Sequence, residues 1–206
     1  MWSRRLFCLS ILLISPGCFL SPALAESIPS NINIQEIRST RIDRHNQERA
    51  RVGLPFYTGN ALLDSSAQTW AEHLKTIGTT SHKRTSKDGY YNYRSVKDWF
   101  NDQWVQFTWS AGNLFSESLG RWLFTCKQTD CTATLLKSIK KTFAFYMAER
   151  WSSWRPHYNG IVMKDFVNVG FGLAINKNKF YLVSHYGQSV LNSETEIALG
   201  NMVAKN

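Results

Sequence analysis

Proline and glycine are scarce in this sequence, with 5 Pro and 12 Gly among 206 residues. Collagen-like and low-complexity chains need far more of both, and a wholly disordered chain would hold less than the 43% apolar residues found here. Long apolar runs are also lacking, because the one run that could enter a bilayer lies at the extreme N-terminus. The composition therefore excludes fibrous, disordered and multi-span membrane proteins, and the length suits one globular domain.

The N-terminal segment Met1–Ala25 has the three parts of an export signal. Two arginines precede an apolar stretch over residues 6–14, and Ala23-Leu24-Ala25 offers a small-x-small cleavage site. We therefore expect cleavage after Ala25 and a secreted or periplasmic mature protein that has no membrane span. Lipoprotein processing at Cys18 is the alternative, although the residues before it are not the branched apolar type usual there.

Cysteine is also sparse, since only Cys126 and Cys131 of the four cysteines lie outside the predicted signal. In an oxidising compartment their close spacing predicts a local disulfide. A zinc site would need further Cys or His beside them, and the flanking sequence has none. Closing so short a loop stabilises by about 2–3 kcal/mol, so we expect it to fix local geometry rather than to make the fold possible.

Acidic residues are outnumbered, since 15 Asp+Glu face 24 Lys+Arg in the whole chain. Lys137, Lys140 and Lys141 fall on the outward face of a predicted helix, where they could meet an anionic envelope component. An ordinary solvated surface is the alternative interpretation of these lysines. A nucleic-acid partner is not expected, because no reading motif is visible.

The spacing of apolar residues predicts an α+β fold. Positions three and four apart predict helices over residues 34–52, 62–77, 95–104 and 132–151, with Trp70, Trp99 and Trp151 at core positions. Period-two alternation predicts a hairpin of strands 167–175 and 180–186, joined by a turn at 176–179. Helices followed by such a hairpin predict a small antiparallel sheet covered by helices. The remaining segment, 188–206, is expected to be a loosely held polar tail.

Five stretches in sequence order carry a family resemblance: HNQER at 45–49, LLDSSAQTWAEHL at 62–74, SH at 81–82, RPHYNGIVMKDFVNVGFGLA at 155–174 and YLVSHYG at 181–187. Together they resemble the CAP superfamily, the SCP domain of cysteine-rich secretory, antigen 5 and pathogenesis-related class 1 proteins. We expect this domain to occupy residues 26–187. The resemblance implies a three-layer α-β-α sandwich, secretion, and a cleft lined by two histidines and acidic residues.

By position, the resemblance assigns His82 and His157 to this cleft. The family's Gly-Glu-Asn-Leu motif fits either residues 112–114, where the Glu is absent, or residues 116–119, where Glu117 is present; we take the second. A further family acid, usual shortly after a Trp that matches Trp151, has no counterpart. Glu149 precedes that Trp and is expected to point elsewhere, because two helical residues rotate about 200°.

Two imidazoles and one carboxylate, His82, His157 and Glu117, are the ligand set of an open zinc site, so the cleft could hold Zn²⁺ or another divalent ion. No cofactor is required, because Glu117 could equally orient an imidazole by hydrogen bonding. The resemblance then implies an exported binding module for a lipid, a sterol or an envelope polysaccharide. A metal-assisted peptidase or cell-wall lytic enzyme that uses the same cleft is the alternative.

Other residues leave alternatives open. A Ser-His-Glu hydrolase could be drawn from Ser81, Ser116 or Ser118, but no Gly-x-Ser-x-Gly elbow is present and such hydroxyls are usually caps or turn formers. Four tryptophans, Trp104, Trp109, Trp122 and Trp154, could wall a ligand near Glu117 and His157 or could pack under a loop. The remaining histidines have non-catalytic interpretations: structural for His45, solvated for His73, core or edge for His185.

Overall fold

The computed structural model describes residues 28–82 and 115–188. The predicted signal, the predicted helix at 95–104 and all but the first residue of the predicted tail lie outside the described residues.

Four helices and one short 3₁₀ turn are described. They are α1 (Ile34–Arg51), α2 (Ala61–Ile77), α3 (Thr132–Ala148), the 3₁₀ turn (Glu149–Trp151) and α4 (Pro156–Val162). Asparagine side chains begin α1 and α2, because Asn33 and Asn60 each accept a hydrogen bond from an amide in the first turn. Gly78 ends α2 with a φ of 73°, a left-handed conformation that glycine adopts without steric cost. The predicted helices at 34–52 and 62–77 are confirmed.

Four strands form one sheet in the order β1-β3-β4-β2. They are β1 (Thr58–Gly59), β2 (Phe115–Leu123), β3 (Asn168–Asn176) and β4 (Lys179–Gly187). The predicted hairpin is confirmed as β3 and β4, which pair antiparallel around Lys177-Asn178. The long strand β2 pairs antiparallel with β4 and forms one edge of the sheet, whereas the two-residue β1 pairs parallel with β3 at the other.

Among the described elements, α2 covers one face of the sheet. Gly170 and Gly172 of β3 allow it to approach, because a Cβ at either position would lie within 2.5 Å of the backbone of α2. The apolar residues of this face are Ala67, Trp70, Ala71 and Leu74 of the helix with Leu119, Ala174, Tyr181 and Val183 of the sheet. The alternation of large residues with Gly and Ala along β3 is therefore the signature of this close packing.

Helices α1, α3 and α4 cover the opposite face, which confirms the three-layer α-β-α sandwich. Leu173, Phe180 and Leu182 of the sheet pack there against Ile37 of α1 and against α3. The buried guanidinium of Arg49 ties α1 to the loop that follows it, to the end of α4 and to the segment after α4. It donates hydrogen bonds to the carbonyls of Pro55, Ile161, Met163 and Phe166.

The predicted disulfide between Cys126 and Cys131 is confirmed, with a Cα–Cα distance of 5.8 Å. Its loop holds the segment before α1, because the amide of Cys131 donates to the carbonyl of Asn31. The amide of Asn33 likewise donates to the hydroxyl of Thr132 at the start of α3. The bridge therefore fixes the local junction of α1, α3 and the end of β2.

One prediction about tryptophan is wrong, and for a second tryptophan the structure decides between two alternatives. Trp151 was expected in the core but is 81% exposed, because the α-helix ends at Ala148 and tightens into a 3₁₀ turn. A 3₁₀ turn adds about 20° of rotation per residue, which turns Trp151 away from the buried face. Trp122 was a candidate for a ligand wall, but it packs against the core and stacks on Phe180 at 6.2 Å.

Candidate functional site: two histidine–carboxylate pairs beside an edge strand

The register of β2 against β4 places Glu117 directly opposite His185. Both side chains face α2, as do their neighbours Leu119 and Val183 one rung along the sheet. Glu117 Oε2 accepts from His185 Nε2 at 2.8 Å, and His185 Nδ1 contacts the hydroxyl of Ser66 on α2 at 2.8 Å. Glu117 and His185 are wholly buried, so this carboxylate and this ring are held rigidly by strand pairing and helix packing.

The second oxygen of Glu117 holds His82, which follows the end of α2. Glu117 Oε1 lies 2.6 Å from His82 Nδ1. The segment that carries His82 is positioned from α2, because the indole N–H of Trp70 donates to the carbonyl of Ser81 at 3.0 Å. An ionised carboxylate only accepts, so His82 Nδ1 carries a hydrogen. The His82 side chain keeps 32% of its surface exposed while its carboxylate partner has none.

A second pair forms between His157 and Glu149, and the expectation that Glu149 points away is wrong. Glu149 Oε1 lies 2.5 Å from His157 Nδ1, and its other oxygen accepts from the amides of His157 and Tyr158 at 2.9 and 3.2 Å. The reason is local: α3 ends at Ala148, and the chain reverses so that the first amides of α4 turn back towards Glu149. The carboxylate therefore both caps α4 and orients the ring.

The ring of His157 is also fixed from its flat side. It stacks on Tyr146 with ring centroids 4.5 Å apart and planes 2° from parallel. The Tyr146 hydroxyl donates to the carbonyl of Leu119 on β2, two residues from Glu117. Burial raises the pKa of Tyr146 well above its ordinary value, so this hydroxyl stays a donor at neutral pH. Tyr146 thus links the His157 pair to the strand that carries the other pair.

The two pairs flank edge strand β2 from different layers of the sandwich. His82 and Glu117 lie on the side of α2, whereas His157 lies on α4, which packs on β2 from the other layer. His157 contacts Glu149, Tyr146 and Phe145, so the structure arranges the predicted trio of His82, Glu117 and His157 as members of two separate pairs. Within residues 28–82 and 115–188, no cluster of three or more potential metal ligands is found.

The family model described as "Cysteine-rich secretory protein family" (CAP) matches residues 42–186, which span both histidine–carboxylate pairs and all four strands. The chain belongs to the CAP family. The match covers most of the chain and confirms the resemblance inferred from the five motifs. No curated protein sequence matches the chain significantly.

Solved structures are similar to this CAP domain at low sequence identity. An outer surface protein from Borrelia burgdorferi is 14% identical, with 76% of this chain and 96% of that chain covered and a TM-score of 0.53. NaASP2, crystallised with Zn²⁺, is 13% identical, with 77% and 83% covered and a TM-score of 0.51. At such identities these two likenesses show the fold alone.

An extracellular SCP-domain protein from Bacillus anthracis is also similar, at 14% identity and a TM-score of 0.47. The match covers 75% of this chain but only 41% of that protein, so this chain spans less than half of its length. In the described part of this chain, no helix combines the length and apolar character needed to cross a membrane.

The remaining histidines of the CAP domain divide as follows. His45 is fully buried between the carbonyl of Arg41 and the hydroxyl of Tyr186, which confirms its structural role. His73 is exposed, as predicted, and stacks on Trp70 at 4.4 Å. His185 is in the core, one of the two positions predicted for it, but its link to Glu117 was missed. The sequence did offer one signal for this link. His185 is a polar residue on the same face of β4 as the buried Tyr181 and Val183.

The serine-based hydrolase gains no support from the geometry. Ser118 lies next to Glu117 on β2, so its side chain points to the opposite face of the sheet, and it is buried. The hydroxyl that does contact a ring of the network is that of Ser66, which is also buried and contacts the carbonyl of Leu63 within its own helix. Trp154 is 74% exposed, whereas Trp104 and Trp109 lie outside the described residues.

Proposed function

We propose that this chain is an exported CAP-domain binding module whose cleft runs across edge strand β2 and presents the imidazoles of His82 and His157 to a ligand without turnover. Export is supported by the charged, apolar and small-residue parts of Met1–Ala25 and by the surface location that the name of the Borrelia neighbour states. The ligand class is a lipid, a sterol or an envelope polysaccharide. Support for it comes from the exposed aromatic side chain of Phe145, whose ring centre lies 6.2 Å from that of His157.

One observation carries the proposal. Both partly exposed imidazoles turn Nδ1 towards a more deeply buried carboxylate, Glu117 for His82 and Glu149 for His157. Because each Nδ1 carries the hydrogen, the neutral ring has its lone pair on Nε2, the nitrogen opposite the carboxylate. Rings held in this way are oriented for a ligand rather than left to rotate.

A divalent cation fits the chemistry of these donors. Carboxylate-to-imidazole bonds at Nδ1 are the usual support of histidines that bind zinc through Nε2. We assign the ligand role to His82 and His157 and the supporting role to the two glutamates, since both oxygens of Glu117 already accept ring hydrogens. The structural neighbour NaASP2 was crystallised with Zn²⁺, which makes zinc the first ion to try.

Calorimetric titration with Zn²⁺ tests the metal part of the proposal. We expect heat of binding for the wild type, its loss in His82→Ala and His157→Ala, and about 10- to 100-fold weaker binding in Glu149→Gln, which removes the supporting charge. The matched control is Glu36→Gln, which removes an exposed carboxylate of α1 by the same substitution. Equal heats for all variants would place the ion elsewhere.

Turnover and ligand class need separate measurements. Incubation of the zinc-loaded and zinc-free protein with peptide and glycan libraries should yield no cleavage products. Cleavage that disappears in His82→Ala would instead favour the metal-assisted hydrolase. Saturable uptake of lipid, sterol or polysaccharide that His157→Ala weakens would support the binding module, and the absence of uptake of all three classes would contradict it.

A further inference from the structure

A surface beside the cleft, here called the α3 face, combines exposed lysines with exposed aromatic rings. It consists of Lys137, Lys140, Lys141, Phe145, Trp151 and Trp154. We propose that the α3 face docks this protein on the surface of an anionic lipid bilayer. This inference goes beyond the proposed function, because the surface uses neither His82 nor His157 and shares only Phe145 with the proposed cleft.

The exposed positions of α3 form one continuous stripe. They are residues 133, 137, 140, 141, 144, 145 and 148, which recur three and four positions apart. Between the lysines and the aromatic end the stripe holds only Ala144 and Ala148, so no long side chain interrupts it. The helix of 17 residues is about 25 Å long, which is enough for a flat contact with a bilayer surface.

Three large aromatic side chains lie at one end of the stripe and just beyond it. Phe145 is 56% exposed, Trp151 81% and Trp154 74%. Single exposed apolar residues are ordinary, whereas three large exposed rings within ten positions of the sequence give the apolar density that interaction sites have. The guanidinium of Arg150 lies 4.6 Å from the centre of the Trp151 ring, so cationic and aromatic groups already adjoin here.

The charge of this region specifies the partner. Between Thr132 and Val162 the sequence has five Lys and Arg but one acidic residue, Glu149. The carboxylate of Glu149 is bonded to His157 and to the amides of α4, so it does not neutralise the lysines of the stripe. If a second copy of the chain docked here through the same face, the two positive charges would repel each other. A neutral surface would have no electrostatic attraction to the lysines. An anionic surface is complementary to it.

The arrangement of the two kinds of residue favours a bilayer over a soluble polyanion. The lysines lie in the first part of the stripe. Phe145 lies in the last turn of α3, Trp151 in the 3₁₀ turn that follows and Trp154 just beyond that turn. Tryptophan partitions into the headgroup region of a bilayer, while nearby lysines attract anionic headgroups. A soluble polyanion would use the lysines but would give the exposed rings no apolar environment.

Vesicle sedimentation tests this proposal on the protein purified from an exporting host, with its N-terminus determined by mass spectrometry. We expect binding to phosphatidylglycerol-containing vesicles, little binding to pure phosphatidylcholine vesicles, and weaker binding at high salt. Lys137→Glu/Lys141→Glu should weaken binding by about tenfold or more. Trp151→Ser/Trp154→Ser should weaken it too and should abolish part of the blue shift in tryptophan emission that vesicles induce.

Matched controls separate this face from total charge, total aromatic content and the cleft. Lys164→Glu/Lys177→Glu changes the net charge equally at exposed positions outside α3 and the disulfide loop that leads into it, and Phe56→Ser removes an exposed ring elsewhere. These controls and His82→Ala/His157→Ala should bind vesicles like the wild type. Two results would overturn the proposal. One is equal weakening of vesicle binding by both pairs of lysine substitutions. The other is binding to a soluble polyanion while vesicles cause no shift in tryptophan emission.

Discussion

Mild acid is expected to destabilise this CAP domain, because His45 takes up a proton in the unfolded chain but stays neutral while it is buried. Its Nδ1 lies 2.7 Å from the carbonyl of Arg41, which can only accept, so Nδ1 carries a hydrogen. Its Nε2 lies 3.1 Å from the Tyr186 hydroxyl and therefore accepts from it. Burial first, and the positive charge of Arg41 next, lower the pKa of His45 to about 3 from an ordinary 6.5.

The size of the effect follows from that difference. Because the folded-state pKa lies below the unfolded-state value, the free energy of unfolding has its full His45 contribution above about pH 6.5. The contribution is then lost as the pH falls from there towards 3. One pKa unit corresponds to about 1.4 kcal/mol, so His45 accounts for a loss of about 2 kcal/mol by pH 5 and of the order of 5 kcal/mol in full.

Urea unfolding at a series of pH values between 7 and 4 measures this loss, with His45→Gln as the comparison. A glutamine amide can donate to the Arg41 carbonyl and accept from the Tyr186 hydroxyl, but it does not titrate. The wild type should lose more stability than the variant over this range, since all other histidines are common to both. Parallel loss in the two proteins would refute the reasoning. If the variant does not fold, NMR of the wild-type ring at pH 5 should still show it neutral.

Two further predictions concern the scaffold. Gly172→Ala should lower the free energy of unfolding by about 3 kcal/mol, because its Cβ would lie 2.1 Å from the backbone of Ala67. Gly59→Ala should lower it less, because the added Cβ meets only the end of the Ile42 side chain. Equal losses in the two variants would contradict this account of α2 packing. Replacing Cys126 and Cys131 by serine should lower it by about 2 kcal/mol, and reducing agent should bring the wild type to the same stability if loop closure is the cause.

Much of the fold could be predicted from the sequence because its signals are local. Apolar spacing and Gly78 bound α2 to within a residue, and the alternation along β3 predicts the strand. The two-residue β1 gives no such signal, because so short a strand has no period to detect. Where α3 ends was also not predictable, since the 3₁₀ turn depends on how the chain reverses into α4.

The candidate site was predicted only in part. Motif positions identified His82, Glu117 and His157, and the structure pairs the first two. Glu149 was rejected by extrapolating an α-helix beyond its real end, so the partner of His157 was lost along with the position of Trp151. The role of His185 required the register of β2 against β4, which depends on long-range pairing and not on any neighbouring residue.

The network around Glu117 indicates that orientation, rather than stability, is what its polar residues provide. One rung along the same strands, β2 and β4 pair Leu119 with Val183 and bury both against α2. An apolar pair could therefore occupy the positions of Glu117 and His185 as well, since replacing buried, hydrogen-bonded polar partners by apolar residues is often neutral or stabilising. Such a replacement would remove the carboxylate that orients His82, so its ring could rotate about its side-chain bonds. The fold accepts an apolar pair on this face, as Leu119 and Val183 show, whereas the proposed function requires the carboxylate because it holds an imidazole in one orientation.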